Sequence, residues 1–121
     1  MKRDMDLVRA ILQVVESCED SNGINSPVIE GYNEAQIAYH LRLLLDSGLI
    51  EVKTTAEEWQ QEDLYGGINL TWNGQDFLDA AKDDTLWKKA KETVIKPGAS
   101  FTFDLLLSWL KAQIGTALGL P

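Results

Sequence analysis

The chain has one histidine, His40, and one cysteine, Cys18, and these two counts bound its side-chain chemistry at once. A single histidine excludes any metal motif built on two, and a single cysteine excludes an intrachain disulfide and a cysteine zinc site. For His40 to act as a general base, a nucleophile or carboxylate on another element would have to stand at a recognisable spacing, and none does. Ile37, Leu41 and Leu44 define the buried face around His40, which lies at its edge, so a hydrogen-bonded structural histidine is expected. The acid pairs Glu57-Glu58 and Asp83-Asp84 are adjacent in sequence, so on regular elements their carboxylates diverge and read as solvated or capping groups. Gly66-Gly67 reads as a turn and not as a phosphate-cradling loop. No catalytic residue, no metal and no cofactor are expected, and the chain reads as a non-enzyme.

What remains is binding chemistry. Gln36 has the groups to read an adenine edge, and Tyr39 or His40 could contact a phosphate. Arg42 is the one base in that segment. Farther along, Lys88 and Lys89 sit with Lys82, Lys91 and Lys96 in or near a helical stretch, among Asp83, Asp84 and Glu92. They form a phosphate-backbone patch if they meet Lys2, Arg3 and Arg9 in space, and an ordinary solvated face otherwise. Against DNA stands the charge balance. The 121 residues carry 11 Lys+Arg and 19 Asp+Glu, a net charge of −8, which repels a phosphate backbone. Residues 51–63 concentrate the acids, with Glu51, Glu57, Glu58, Glu62 and Asp63 against Lys53 alone. Apolar groups suited to a protein interface are Trp59, in that acidic stretch, and Phe101, Phe103, Leu106, Trp109, Leu110 and Ile114, spread over too much of a helix for one buried side.

The elements that position these groups follow from periodicity and stop signals. Leu7, Val8, Ile11, Leu12, Val14 and Val15 predict a helix over 4–18, capped by Asp4 or Asp6. Residues 19–23 are a turn cluster. Residues 24–30 read as a short edge strand, because proline, here Pro27, is tolerated only at an edge or an end. Asn33 caps a second helix whose inner face is Ile37, Leu41, Leu44 and Leu45, and Gly48 ends it in a left-handed conformation. Residues 49–54 and 67–71 read as a hairpin with a long tip. Thr71 or Asn73 caps a helix with Phe77, Leu78 and Ala81 inward. A further helix over 85–96 turns Leu86, Ala90 and Val94 inward with Trp87 beside them, and Pro97-Gly98 stops it. The last helix opens at Ser100 or Thr102. Residues 101–120 are long enough to cross a bilayer, but Lys111 would sit at the centre at a cost of about 2.5–3.5 kcal/mol. A helix packed into protein is expected there, and no membrane contact. Arg9 and Gln13 interrupt the apolar stretch at 7–15, so no secretory signal is read and a cytoplasmic location is expected.

A helix ending in His40-Leu41-Arg42-Leu43-Leu44-Leu45-Asp46-Ser47-Gly48-Leu49-Ile50, then a hairpin, then Leu70-Thr71-Trp72-Asn73-Gly74-Gln75-Asp76-Phe77-Leu78, resembles a winged helix. The opening MKRDMDLVRAIL, the block GYNEAQIAYHLRLLLDSGLIE, then LTWNGQDFLDAAKDDTLWKKAKE and GASFTFDLLLSWLKA together resemble the bacterial and prophage domain-of-unknown-function family numbered 2513. That resemblance implies a bacterial cytoplasm or a phage-infected cell and little about activity. In one respect the chain departs from a winged helix: INSPVIEGY, which reads as extended, stands where a short helix would precede the recognition helix. The expected fold is α+β, a small winged-helix-like domain over 1–82 (helix, short edge strand, recognition-like helix, β-hairpin wing). A C-terminal helical extension over 83–121 is expected to pack on it and form a homodimer. The expected function is a phage- or prophage-associated DNA-binding regulator. The alternative is an acidic protein-interaction module that engages a host or phage protein, one version being an inhibitor of a host defence or nucleic-acid-binding protein.

Overall fold

A computed structural model describes residues 1–54, 65–96 and 101–119. Among them the fold is α+β. The order is α1 (Met5–Ser17), α2 (Glu34–Asp46), β1 (Ile50–Glu51), β2 (Asn69–Leu70), α3 (Trp72–Ala81), α4 (Asp84–Thr93) and α5 (Phe103–Ala117). The chain divides into two compact units, Met1–Asp76 and Phe77–Pro121. The division falls inside α3, ahead of the boundary expected at 82. Within the second unit the Phe77 ring already packs against the rings of Trp87 and Phe103.

In the first unit, α1 starts where Asp4 Oδ1 accepts the backbone N–H groups of Asp6 at 2.9 Å and Leu7 at 3.3 Å. Those donors have no partner within the helix, and the carboxylate also suits its positive end. Leu7, Val8, Ile11, Leu12 and Val15 form the buried stripe. The sheet is one antiparallel pair, Ile50 opposite Leu70 and Glu51 opposite Asn69, extended by isolated bridges between Thr54 and Gly66 and between Ile24 and Ile68. Both hairpin strands are thus shorter than expected. The edge strand expected over 24–30 reduces to the single bridge at Ile24, for a visible reason. Ser26 N–H donates to the Tyr65 carbonyl at 3.0 Å, but Tyr65 N–H turns to Ser26 Oγ at 3.1 Å instead of a backbone carbonyl. The next residue, Pro27, has no N–H with which to continue. Residues 18–33 contain no helix, so α1 leads to α2 without the short helix of a helix-turn-helix.

The end of α2 and the start of α3 are built against each other. Gly48 N–H donates to Leu45 O at 3.1 Å and Leu49 N–H to Leu44 O at 3.0 Å, with Gly48 at φ +78°. This is a Schellman ending, which needs a residue without a Cβ at the left-handed position. Thr71 then reaches back: its N–H donates to the Leu49 carbonyl at 3.1 Å and its hydroxyl donates to the Gly48 carbonyl. The same hydroxyl accepts Gly74 N–H at 3.1 Å and so caps α3. Gly74 lies so close that a Cβ there would overlap the Leu49 carbonyl oxygen. Gln75 Nε2 donates to the Glu16 carboxylate, tying the first turn of α3 to the end of α1.

In the second unit, Asp83 Oδ1 caps α4 by accepting Leu86 N–H at 2.8 Å, and Thr102 Oγ1 caps α5 by accepting Leu105 N–H at 3.1 Å. The inner face of α4 is Trp87, Ala90 and then Val94, with Leu86 only half-buried. Trp87 therefore takes the inward place expected for Leu86. Its ring meets Phe77 edge-on at 6.4 Å between centroids, and Phe77 stacks at 4.9 Å on Phe103. No helix among the described residues is long and apolar enough to cross a membrane.

Gly74→Ala tests the α2–α3 junction. The added methyl meets a backbone carbonyl held on both sides, so it cannot relax as a flexible side chain would. We expect a loss of about 3 kcal/mol of unfolding free energy, measured by urea denaturation. Asn73→Ala, at the exposed neighbouring position, should change stability by less than about 0.5 kcal/mol.

Candidate interaction surfaces

The nucleic-acid candidates on α2 are held by the fold itself. Asn33 Oδ1 accepts Gln36 N–H at 2.8 Å, and Gln36 Oε1 accepts Asn33 N–H at 2.9 Å, a reciprocal capping box. The Gln36 amide oxygen, one half of a bidentate adenine contact, is therefore already engaged. His40 is only 1% exposed. Its Nε2 accepts Asp4 N–H at 2.8 Å, which assigns the ring proton to Nδ1, and Nδ1–H donates to the Gln36 carbonyl at 2.8 Å. Both ring nitrogens are satisfied and neither points outward. Tyr39 is half-buried. Its ring stands edge-on to His40 at 5.4 Å, and the Arg42 guanidinium lies 5.8 Å from its centroid. Arg42 is exposed and shares the outer part of α2 with the exposed acids Glu34 and Asp46. Lys53, the one base among residues 51–63, is turned back: Nζ donates to Asn22 Oδ1 at 3.2 Å and Ser21 O at 3.4 Å. Trp59 and the acids Glu57, Glu58, Glu62 and Asp63 lie outside the described residues.

Asp4 joins this region together. While Oδ1 caps α1 and the backbone N–H binds His40, Oδ2 accepts the Tyr32 hydroxyl at 3.0 Å. Burial raises the Tyr32 phenol above its usual value, and the hydrogen bond to Asp4 and the charges of Asp4 and Asp6 push the same way. All of these penalise a second negative charge beside the carboxylate.

An exposed aromatic that the sequence reading did not single out is Trp72, 84% exposed at the first position of α3. Asp76 and Asp79 follow at i+4 and i+7, on the same face. Both are exposed, and Asp79 pairs with Lys82 at 3.6 Å. The signal was available in the helix arithmetic: Gly74, Phe77, Leu78 and Ala81 point one way, which leaves Trp72 opposite.

In the second unit Lys88 and Lys89 are exposed on α4, away from Trp87 and Ala90, with the exposed Glu92 a turn beyond Lys88. The residues proposed for an interface divide. Leu106 and Leu110 are 0% exposed and belong to the interior, not to an exposed stripe. Phe103 is half-buried against Phe77, and Phe101, Trp109 and Ile114 are half-buried. Among the described residues of this unit, Leu105 at 54% and Leu118 at 70% are the large apolar side chains left in water. Among the described residues there is no cluster of three or more side chains able to hold a metal ion.

Comparison with known proteins adds a family. Residues 2–100 match the model of the family described as "Hypothetical protein (DUF2513)". A protein of Haemophilus influenzae, described as "Uncharacterized protein", is 32% identical over 107 residues, which span 88% of this chain and 89% of that relative. No solved structure matches the chain.

Two measurements check the Asp4 cluster. His40→Phe keeps an aromatic ring, a slightly larger one, but leaves Asp4 N–H without its acceptor, and we expect a loss of about 1–3 kcal/mol. Because folding raises the Tyr32 pKa, its contribution to stability is complete below the ordinary tyrosine value of about 10 and is lost as pH rises beyond it. Chemical denaturation between pH 8 and 11 should show that alkaline decline in the wild-type chain and a flatter profile in Tyr32→Phe.

Proposed function

The chain belongs to the DUF2513 family, and from that premise we propose that it is an acidic protein-interaction module on a winged-helix-like framework, not a reader of DNA grooves. The framework reading rests on order: α1, the Ile24 bridge, α2, then an antiparallel pair joined through the 52–68 connection, and α3. Fold alone is weak warrant for function, so the surface carries the argument. The observation that carries it is Trp72, a largely exposed tryptophan on a backbone tied down on both sides, with Asp76 one turn along its helix. Tryptophan is among the residue types enriched as interface anchors. The carboxylate beside it favours a partner that brings lysine or arginine.

The side chains of α2 point the same way by elimination. Gln36 and His40 are bonded into their own backbone, and Arg42 alone remains as an outward base among acids. Specific DNA binding draws on several phosphate contacts, each releasing a counterion. The partner that suits this surface is a host or phage protein with a basic face, of which a nucleic-acid-binding protein is the natural example. The setting is a bacterial cytoplasm or a phage-infected cell. A second reading, regulation through DNA, has one observation in its favour: Lys88 and Lys89 are exposed together on α4, where they could touch a phosphate backbone without reading sequence.

Fluorescence anisotropy with a random labelled duplex at low salt separates the two readings. The expected result is no binding. Binding that weakens with salt and is lost in Lys88→Glu/Lys89→Glu would overturn the protein-module reading. A partner captured from host lysate should be held about 30-fold more weakly by Trp72→Ala and lost by Asp76→Lys, while Arg42→Ala leaves it bound.

A further inference from the structure

Helix α5 has two apolar faces, and only one of them is interior. Leu106 and Leu110 are fully buried. With 3.6 residues per turn, Leu105, Ser108, Trp109, Ala112 and Thr116 fall within an arc of about 100° on another side of the helix. Leu105, Ser108, Ala112 and Thr116 are exposed and Trp109 is half-buried. None of the five is charged. Thr116 Oγ1 donates to the Ala112 carbonyl at 3.0 Å, so its hydroxyl is satisfied within the helix and its methyl remains to be covered. The stripe alternates large and small side chains, the pattern by which two helices interlock at close range.

Charge determines what can cover it. The sequence of α5, FDLLLSWLKAQIGTA, has two charged residues, Asp104 and Lys111. They are opposite in sign, two turns apart, and on one flank of the stripe. When two copies of a helix are related by a two-fold axis perpendicular to them, like flanks face each other and run in opposite directions. Asp104 of each copy then comes opposite Lys111 of the other, twice by symmetry. In nearly the same register Leu105 meets Ala112 and Trp109 meets Ser108, large against small. Parallel pairing would bring that charged flank to the opposite edge of the stripe, where Leu106 is already interior.

We propose that α5 is a self-association helix: a second copy of this chain packs antiparallel across the Leu105–Trp109–Ala112–Thr116 stripe, with reciprocal Asp104–Lys111 pairs on its flank. The stripe shares no residue with the Trp72 and Asp76 pair, so either reading can fail without the other. It also differs from the interface drawn from sequence, retaining Trp109 and replacing the buried Leu106 and Leu110.

Analytical ultracentrifugation over a concentration series tests it on the whole chain. The wild-type chain should dimerise, and Ala112→Arg, at an exposed position that keeps a good helix former, should be monomeric with an unchanged far-ultraviolet circular dichroism spectrum. Asp104→Lys sets lysine against lysine twice and should weaken the dimer roughly tenfold, as should Lys111→Asp. The double exchange Asp104→Lys/Lys111→Asp should restore it. A wild-type monomer at every concentration, whether the stripe stays bare or is taken by another protein, overturns the proposal. So does a dimer indifferent to Ala112→Arg, and so does a double exchange that fails to restore association.

Discussion

The first unit depends on how one backbone group, the N–H of Asp4, finds its partner. At the entry to α1 it has no acceptor within the helix, and burying it unpaired would carry a penalty of about 1–3 kcal/mol. His40 Nε2, from the second turn of α2, accepts it. For that nitrogen to be an acceptor the ring must be neutral with its proton on Nδ1, and the Gln36 carbonyl receives that proton's hydrogen bond. The position of Gln36 is set in turn by its capping box with Asn33. The Asp4 side chain completes the circuit through Tyr32, one residue ahead of Asn33. The start of α1, the turn into α2 and the first two turns of α2 are thus one hydrogen-bonded assembly. The functional consequence is restrictive, because the polar groups at the front of α2 are there to hold the helix, and little is left over to touch a ligand.

Much of this was legible in the residues. Asn33 could be recognised as a cap, and Asp4, Thr71, Asp83 and Thr102 as one of two readings each, because a short side chain with an oxygen before an apolar period has a specific job; Gly48 was legible because only glycine readily adopts the left-handed ending. LDSGLI and LTWNG also lie in two of the blocks by which the chain resembles its family. The physical reason appears only in three dimensions: Thr71 bonds to Gly48 and Leu49, and Gly74 must be bare to let that happen. The capping box was present as Asn33-x-x-Gln36, yet Gln36 read as a base contact because position on a recognition-like helix outweighed the local signal. Strand length was not legible. Val28 and Ile29 are β-branched, but the ladder ends at Ser26 because that side chain takes the bond a backbone carbonyl would have taken.

Periodicity likewise identified the apolar stripes of α4 and α5 without saying which stripe the rest of the unit covers. In α4 the choice between Leu86 and Trp87 is decided by the Phe77 ring, which offers Trp87 an edge-to-face partner. In α5 the residues at 106 and 110 go inward while their neighbours at 105 and 112 remain outside. A sequence window contains the angular spacing of side chains but not the angular position of the neighbour, so a helix apolar on two sides leaves that assignment open.

A single exposed apolar side chain is ordinary in a folded protein, so Trp72 matters for how it is held and not only for its exposure. Thr71 directly before it is bonded through both its N–H and its hydroxyl to the end of α2, and Gly74 two residues later is pressed against Leu49. With both sides fixed, the backbone at Trp72 has no freedom to turn the indole inward, and the inward face of α3 is already taken by Phe77, Leu78 and Ala81. The same close contact that builds the junction therefore fixes the backbone beneath the ring. A large aromatic on a preorganised backbone loses little conformational freedom when a partner covers it. That is the physical basis for placing the functional weight of the first unit on α3, beside the helix whose position in the chain first suggested DNA.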